Sequence, residues 1–215
     1  MKRRNVRALL AMTGCVVLLA GFGAAAQDSP AFGDNLVTNG DAEAGPGATS
    51  STQTIPPPGW TTTGNFTASV YGKNGPPNPT DPGPDDRGDN YFAGGDDTAK
   101  STAEQTIDIS AAAAQIDAGT LKYRLAGYLG GFGNQGDYVV VSAVFEDANG
   151  RPLGQAKIGP VTPVQRGNKT GLLPRETTGP LPAKTRAVVV RIVATRLEGR
   201  YNDGYADNIW FSIQP

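Results

Sequence analysis

Phe132 stands among glycines in Gly130-Gly131-Phe132-Gly133-Asn134-Gln135, with two planar amides, Asn134 and Gln135, just after it. A sugar presents apolar C–H faces that stack on aromatic rings and hydroxyls that meet planar polar side chains. A few such groups placed together therefore make a site. Tyr201 and Asn202, next to each other near a predicted turn, form a second set of the same kind. Six aromatics (Tyr71, Tyr91, Tyr128, Phe132, Tyr201 and Tyr205) fall at strand ends or in loops, where a ring is open to a ligand. Trp60 and Trp210 lie in or next to apolar strand patterns and are expected in the core. Each of the six rings is a candidate platform for an oligo- or polysaccharide, and the alternative, favoured for most of them, is a core or edge aromatic with its hydroxyl satisfied.

The catalytic options are narrower. The chain has no His, and its single Cys (Cys15) and both Met (Met1 and Met12) lie in the first 26 residues. If those residues are removed, a His base, a Cys nucleophile and a His/Cys zinc site are all excluded. Acid pairs such as Asp137 with Glu146, or Glu104 with Asp108, can be drawn for a glycan-active enzyme, which needs two carboxylates across a cleft. Nothing in the spacing selects one pair from 20 acidic residues, and the expectation is a non-catalytic protein. Arg87, Arg166, Lys169, Arg175 and Arg200 fall in predicted loops and would bind a carboxylate if several converged.

Lys2, Arg3, Arg4 and Arg7 precede an apolar run from Ala8 to Ala26 that ends in Ala24-Ala25-Ala26, after which Gln27-Asp28-Ser29 restores polarity. This order is that of a cleavable secretory signal. It predicts a signal peptide at 1–26, a short polar leader at 27–34 and one domain at 35–215. The mature protein would be secreted, extracellular or periplasmic, with no membrane span after cleavage. Cleavage takes four of the 19 basic residues and none of the 20 acidic ones, and so moves the net charge from −1 to −5. An acidic surface argues against nucleic acid, whose phosphates need clustered Lys and Arg. Nothing in the sequence sets an oligomeric state.

These residues need a scaffold, and the pattern predicts one made of strands. Asn35–Gly40 reads as a strand entering a turn, and 44–58 and 72–90 read as long loops rich in Gly and Pro. Strands are predicted between Gly59 and Tyr71, at 90–93 and at 105–109. A helical turn capped by Ser110 follows, running into Ala111–Ile116. Leu121–Leu129, Tyr138–Asp147, Leu153–Ile158, Ala187–Leu197 and Tyr205–Ile213 complete the set, with Asn149-Gly150 as a hairpin turn. Residues 159–184 read as a connection and 199–204 as a turn. Eight or nine short strands with almost no helix predict an all-β, two-sheet antiparallel sandwich.

Two segments make the pattern more specific. Asn35-Leu36-Val37-Thr38-Asn39-Gly40-Asp41-Ala42-Glu43, followed by Pro58-Gly59-Trp60, opens the domain. Asn202-Asp203-Gly204-Tyr205-Ala206-Asp207-Asn208-Ile209-Trp210 closes it. Together they resemble the first and last strands of the galactose-binding-domain-like jelly rolls, a group that includes many carbohydrate-binding modules of secreted glycanases. The resemblance implies a jelly-roll sandwich with its two ends adjacent, and a structural calcium where the first turn meets the last strand, with Glu43 and Asp207 as ligands. Asp41 and Asn208 supply oxygens of the kind calcium prefers, and Asp96 and Asp97 are further candidates. The chain departs from the family pattern at Ala42, where an aromatic is usual, and at Asp207-Asn208, where two acids are usual. The function implied is a secreted carbohydrate-binding module. The alternatives are an extracellular structural or interaction protein with no small ligand, and a glycan-active enzyme.

Overall fold

Alternation decides which faces turn inward. In Tyr138–Glu146, Val139, Val141, Ala143 and Phe145 are buried while their neighbours are not, and Val188, Val190, Ile192 and Ala194 do the same in Ala187–Thr195. The computed structural model describes residues 32–73 and 75–215. The expected signal peptide and most of the polar leader lie outside the described residues. The strands are β1 (Thr61–Thr63), β2 (Thr67–Val70), β3 (Asn90–Asp96), β4 (Lys100–Asp108), β5 (Lys122–Gly131), β6 (Tyr138–Glu146), β7 (Pro152–Ile158), β8 (Gly171–Pro180), β9 (Ala187–Thr195) and β10 (Tyr201–Gln214). They form two five-stranded sheets, ordered β1-β4-β9-β6-β7 and β2-β3-β10-β5-β8, in which all neighbours are antiparallel. This is the all-β sandwich that the sequence predicts.

Between the sheets lies one core. Phe92 sits at its centre, edge-on to Trp60 at 5.6 Å and beside Phe66 at 5.9 Å, while Phe145 bridges Tyr123 and Phe211. On the outer face of the first sheet, Arg191 pairs with Glu104 of the neighbouring strand. The alternation that buries Val190 and Ile192 thus leaves the intervening residue to solvent.

Three local expectations are corrected. Residues 35–40 are not a strand. They follow the last strand through the Asn35 side chain, whose Oδ1 accepts the N–H groups of Val37 (3.1 Å) and Phe211 (3.0 Å) and whose Nδ2 donates to the Ile209 carbonyl (3.0 Å). On the other side, Gln105 of β4 donates to and accepts from the Thr38 backbone (3.0 and 2.9 Å). Backbone bonds join the same segment to the last strand, from Gly33 to Ile213 (3.0 Å), from Leu36 to Phe211 (2.8 Å) and from Ile209 to Gly40 (2.8 Å), and the two side-chain amides complete the tie of this segment to both sheets. The helical turn is present at 110–117, but Ser110 does not cap it; Asp108 Oδ1 accepts the Ser110 N–H instead (2.8 Å).

The third correction is β8, which lies inside the supposed connection at 159–184. Pro174 and Pro180 hide it from a propensity reading. β8 is an edge strand, and the Leu172 N–H points away from β5, to the Pro82 carbonyl at 2.8 Å. Alternation then places Pro174 and Pro180 at positions whose N–H would also point outward, so no ladder bond is lost.

The Asn35 amide gives a test of this account. Replacing it with alanine (Asn35→Ala) strands two N–H groups and one carbonyl. Urea unfolding should show a loss of about 1–3 kcal/mol with an unchanged slope. An unchanged midpoint would mean that the amide contributes nothing.

Candidate functional site

The second sheet turns its outer face to solvent, and that face is set by an irregularity in β10. The register of β10 against β5 shifts between Asp207 and Trp210, and Asn208 takes a left-handed conformation (φ 48°). Before the shift, Tyr205 and Asp207 face outward and Ala206 faces the core. After it, Ile209, Phe211 and Ile213 face the core, and Trp210 faces outward. The alternation in the sequence hid this switch, so the expectation of Trp210 in the core is corrected. Trp60 does lie in the core. Gly40 fits closely beneath the shift. Its carbonyl accepts the Ile209 N–H at 2.8 Å, and a Cβ there would lie 2.1 Å from the Ile209 oxygen.

Trp210 lies opposite Ala126 of β5, and Ala126 lies opposite Glu176 of β8. The small side chain of Ala126 leaves a trough between its own strand neighbours on that face, Arg124 and Tyr128. The groove is about 380 Å³ and continues past Asp86 and Asn208 into a second depression of about 280 Å³ that shares Trp210. Trp210 and Tyr128 are both half-buried. The Arg124 guanidinium lies 5.6 Å from the Trp210 ring centroid and donates to Glu176 Oε2 from Nε (3.0 Å) and Nη2 (2.7 Å). A half-exposed pair of this kind adds only about 0–1 kcal/mol of stability. Its effect is to hold a planar cation and a carboxylate in fixed positions beside an aromatic surface. The Trp210 Nε1 is buried and meets no acceptor.

Further along the face, Tyr71, Tyr91 and Tyr205 form a second aromatic cluster. The Tyr91 ring is 4.8 Å from Tyr71 and 5.3 Å, edge-on, from Tyr205. Tyr128 and Tyr201 pack against it. All six aromatics that the sequence placed at strand ends or in loops therefore lie on or at the edge of one face. Burial pushes the Tyr91 hydroxyl up to about 12 and raises Tyr71 and Tyr205 well above the usual range; nearby Asp207 adds to the rise of Tyr71 and Asp203 to that of Tyr205. These hydroxyls stay protonated and act as donors: Tyr71 donates to Asp207 Oδ2 (2.7 Å), and Tyr205 donates to Asp203 Oδ1.

Asp207 is fully buried. Burial holds its carboxyl well above the usual range, opposed by hydrogen bonds from Tyr71 and the Asn208 N–H, and the charges of Glu43 and Asp41 raise it further. The four residues expected around a metal thus gather at one end of the sandwich, but each already has protein partners. Glu43 Oε1 accepts the N–H groups of Asp89 (2.9 Å) and Asn90 (2.6 Å), Asp41 Oδ1 accepts the Glu43 N–H (3.3 Å), and Asn208 Nδ2 donates to Asp86 (2.8 Å). The donors are hard oxygens with an excess of negative charge, as calcium requires. Among the described residues, however, no three carboxylates draw together as an ion-holding group. Asp96 and Asp97 do not join this end; they pair with Arg200 (3.0 Å) and Arg196 (3.5 Å) near the start of β10.

Of the expected ligand residues, Phe132 and Tyr201 come together. They line a depression of about 170 Å³ with Tyr91, Asp203, Tyr205 and Pro76. Asn134 is exposed but does not line it. Gln135 contributes its backbone carbonyl to Arg166 (3.4 Å) rather than an amide to the depression. Asn202 is corrected: it is fully buried, donating to the Thr98 carbonyl (3.3 Å) and accepting the Gly204 N–H (3.3 Å), because alternation turns it inward between Tyr201 and Asp203. The loop cations do not converge. Arg166 is buried against backbone carbonyls, Arg87 lies over Tyr71 at 5.4 Å, and only Arg175 reaches the Trp210 groove. Sequence reasoning missed Trp210, Arg124, Glu176 and Asp203. The one available signal for Trp210 was Asn208, a residue type that tolerates positive φ and so permits a change of parity.

No protein-family model matches the chain, and no curated protein matches it. Among solved structures, it is similar to the enzymatically active domain of bacteriophage CBA120 tailspike protein 4, at 16% identity and a TM-score of 0.48, covering 83% of this chain and 21% of that one. It is also similar to a family 16 carbohydrate-binding module (18% identity, TM-score 0.48, 82% of this chain and 99% of that one). A third is the CBM22-1 xylan-binding domain of Paenibacillus barcinonensis Xyn10C (12% identity, TM-score 0.40, 76% and 90%). The chain thus spans about a fifth of the tailspike domain's length.

Burial pushes the Asp203 carboxyl up to about 6 against the hydrogen bond from Tyr205, and neighbouring Asp137 adds to the rise. A carboxyl raised on folding stabilises the protein fully below its unfolded pKa, near 4, and that stability is lost as pH climbs through 6. Asp207 acts in the same direction. Urea unfolding at pH 4.5 and pH 7 should show the protein less stable at pH 7 through these groups, and Asp203→Asn should shrink the difference. An unchanged difference in that variant would mean that Asp203 titrates normally.

Proposed function

We propose that the protein is a non-catalytic module that binds a polysaccharide chain along the outer face of the β10 sheet. The observation that carries this reading is the groove itself, where two half-exposed rings, Trp210 and Tyr128, flank the small Ala126. Rings set apart in this way can stack on the C–H faces of successive sugar residues. Arg124, Glu176, Asp86 and Asn208 supply donors and acceptors beside them, the few placed polar groups that such a site needs. Glu176 is held in its pair with Arg124, which suits a fixed acceptor for hydroxyls rather than a proton donor.

A calcium ion at the chain-end cluster belongs to the same proposal. It is supported by the buried carboxyl of Asp207 lying within electrostatic reach of Glu43 and Asp41. A cation bound there would use oxygens of Asp207, Glu43, Asp41 and Asn208, and would stabilise the folded state by mass action. It would favour the charged form of Asp207.

Two measurements test these readings. Affinity electrophoresis against a panel of neutral and anionic soluble polysaccharides should find at least one that retards the protein, and Trp210→Ala and Tyr128→Ala should each weaken that binding by about tenfold or more. If no polysaccharide retards the protein, or if both variants bind as the parent does, the groove is not the site. For the metal, thermal unfolding with excess calcium should give a midpoint several degrees above that in EDTA, and Asp207→Asn should abolish the difference. Equal midpoints in calcium and EDTA would remove the ion and leave the groove reading intact.

A further inference from the structure

The depression that Phe132 and Tyr201 share is lined differently from the Trp210 groove, and the two have no lining residue in common. It gathers four rings (Tyr91, Phe132, Tyr201 and Tyr205) around one carboxylate, Asp203. Phe132 is 37% exposed and Tyr201 is half-buried, so the rim is open, while Tyr91 and Tyr205 are buried beneath it. We propose that this pocket binds a quaternary ammonium group. The reading is independent of the polysaccharide proposal.

Ring faces carry negative quadrupole charge and attract a cation within about 6 Å of the centroid, and several faces around one volume add their attraction. Asp203 supplies the counter-charge. One of its oxygens, Oδ1, already accepts the Tyr205 hydroxyl, and its backbone N–H donates to Asp137 Oδ2 at 2.9 Å. Asp137 lies behind it, fully buried, and accepts the N–H groups of Leu197 (2.6 Å) and Glu198 (2.9 Å) as well. The nearby cation, Arg166, is turned away: it donates to the carbonyls of Phe132, Gly133, Gln135, Val161 and Lys169 at 3.1–3.4 Å. The local field therefore favours a positive guest.

The donor arithmetic separates classes of cation. A primary ammonium carries three N–H donors and needs three acceptors. The pocket offers one carboxylate with an oxygen already engaged, the Ser51 hydroxyl at its rim, and rings, of which Tyr205 already directs its hydroxyl to Asp203, so it falls short of three free acceptors. A quaternary ammonium carries no N–H and leaves nothing unsatisfied when its methyl groups meet ring faces. The same head group occurs on free choline and on larger molecules that carry it, and the pocket reads only the head group.

Calorimetric titration of the protein with tetramethylammonium chloride and with choline chloride, at constant ionic strength, tests the proposal. Both should bind saturably, whereas the neutral isostere 3,3-dimethylbutan-1-ol and methylammonium should bind at least about tenfold more weakly. If choline alone binds, its hydroxyl and not the ammonium is being read, and the proposal fails. Phe132→Ala removes an exposed ring without touching the core, and it should weaken tetramethylammonium by several-fold, as should Asp203→Asn. Tyr201→Phe should bind as the parent does, and Trp210→Ala should leave tetramethylammonium binding unchanged. Absence of saturation with tetramethylammonium, or equal affinity for the neutral isostere, would overturn the assignment. Neither result would bear on polysaccharide binding, which is read through Trp210.

Discussion

β10 runs through the middle of its sheet with β3 on one side and β5 on the other, and its two halves need opposite side-chain parity. Tyr205 and Asp207 must face outward to complete the tyrosine cluster, while Ile209, Phe211 and Ile213 must face the core. A regular strand cannot do both, because side chains alternate with a period of two. The extra residue at Asn208 resolves the conflict, and the closest surroundings of the shift exist to hold it. The Gly40 carbonyl receives the Ile209 N–H, and the Asn35 amide receives the Phe211 N–H and donates to Ile209. The entering chain segment is thus the clamp on the strand that carries the candidate site.

The same constraint separates what the sequence disclosed from what it did not. β6, β9 and the Asn149-Gly150 hairpin were legible because runs of β-branched residues mark both strands and a turn dipeptide follows the first. β8 was not, because its prolines mimic a loop and are tolerated only through its place at an edge. Residues 35–40 look like a strand because their composition suits one, yet only scattered backbone bonds and the Asn35 side chain join them to the last strand. At the site, the six ring positions were legible from their place at strand ends. Trp210 was hidden, since the parity change leaves only Asn208 as its trace in the sequence. Asn202 failed for a related reason: adjacency to Tyr201 in sequence means opposite faces in a strand.

The outer face holds two kinds of chemistry on one sheet. At one end, a small residue between two rings leaves a shallow trough with an ion pair at its side. At the other, rings close around a single carboxylate. Between them lie the buried hydroxyls of Tyr71 and Tyr91 and the carboxyl of Asp207; burial raises the pKa of all three and keeps the two hydroxyls protonated.

The free edge of β8 has a consequence beyond the fold of one chain. An exposed strand edge is a template on which a second molecule can add a strand. Here the outward backbone donors run through Leu172, Pro174, Glu176, Thr178 and Pro180; the first is taken by the Pro82 carbonyl, and the two prolines have none to give. Only Glu176 and Thr178 are left to greet an incoming strand, too few for a continuous ladder. The edge nearest the Trp210 groove is therefore a poor template for a second copy of the strand, although it lies at the side of its sheet.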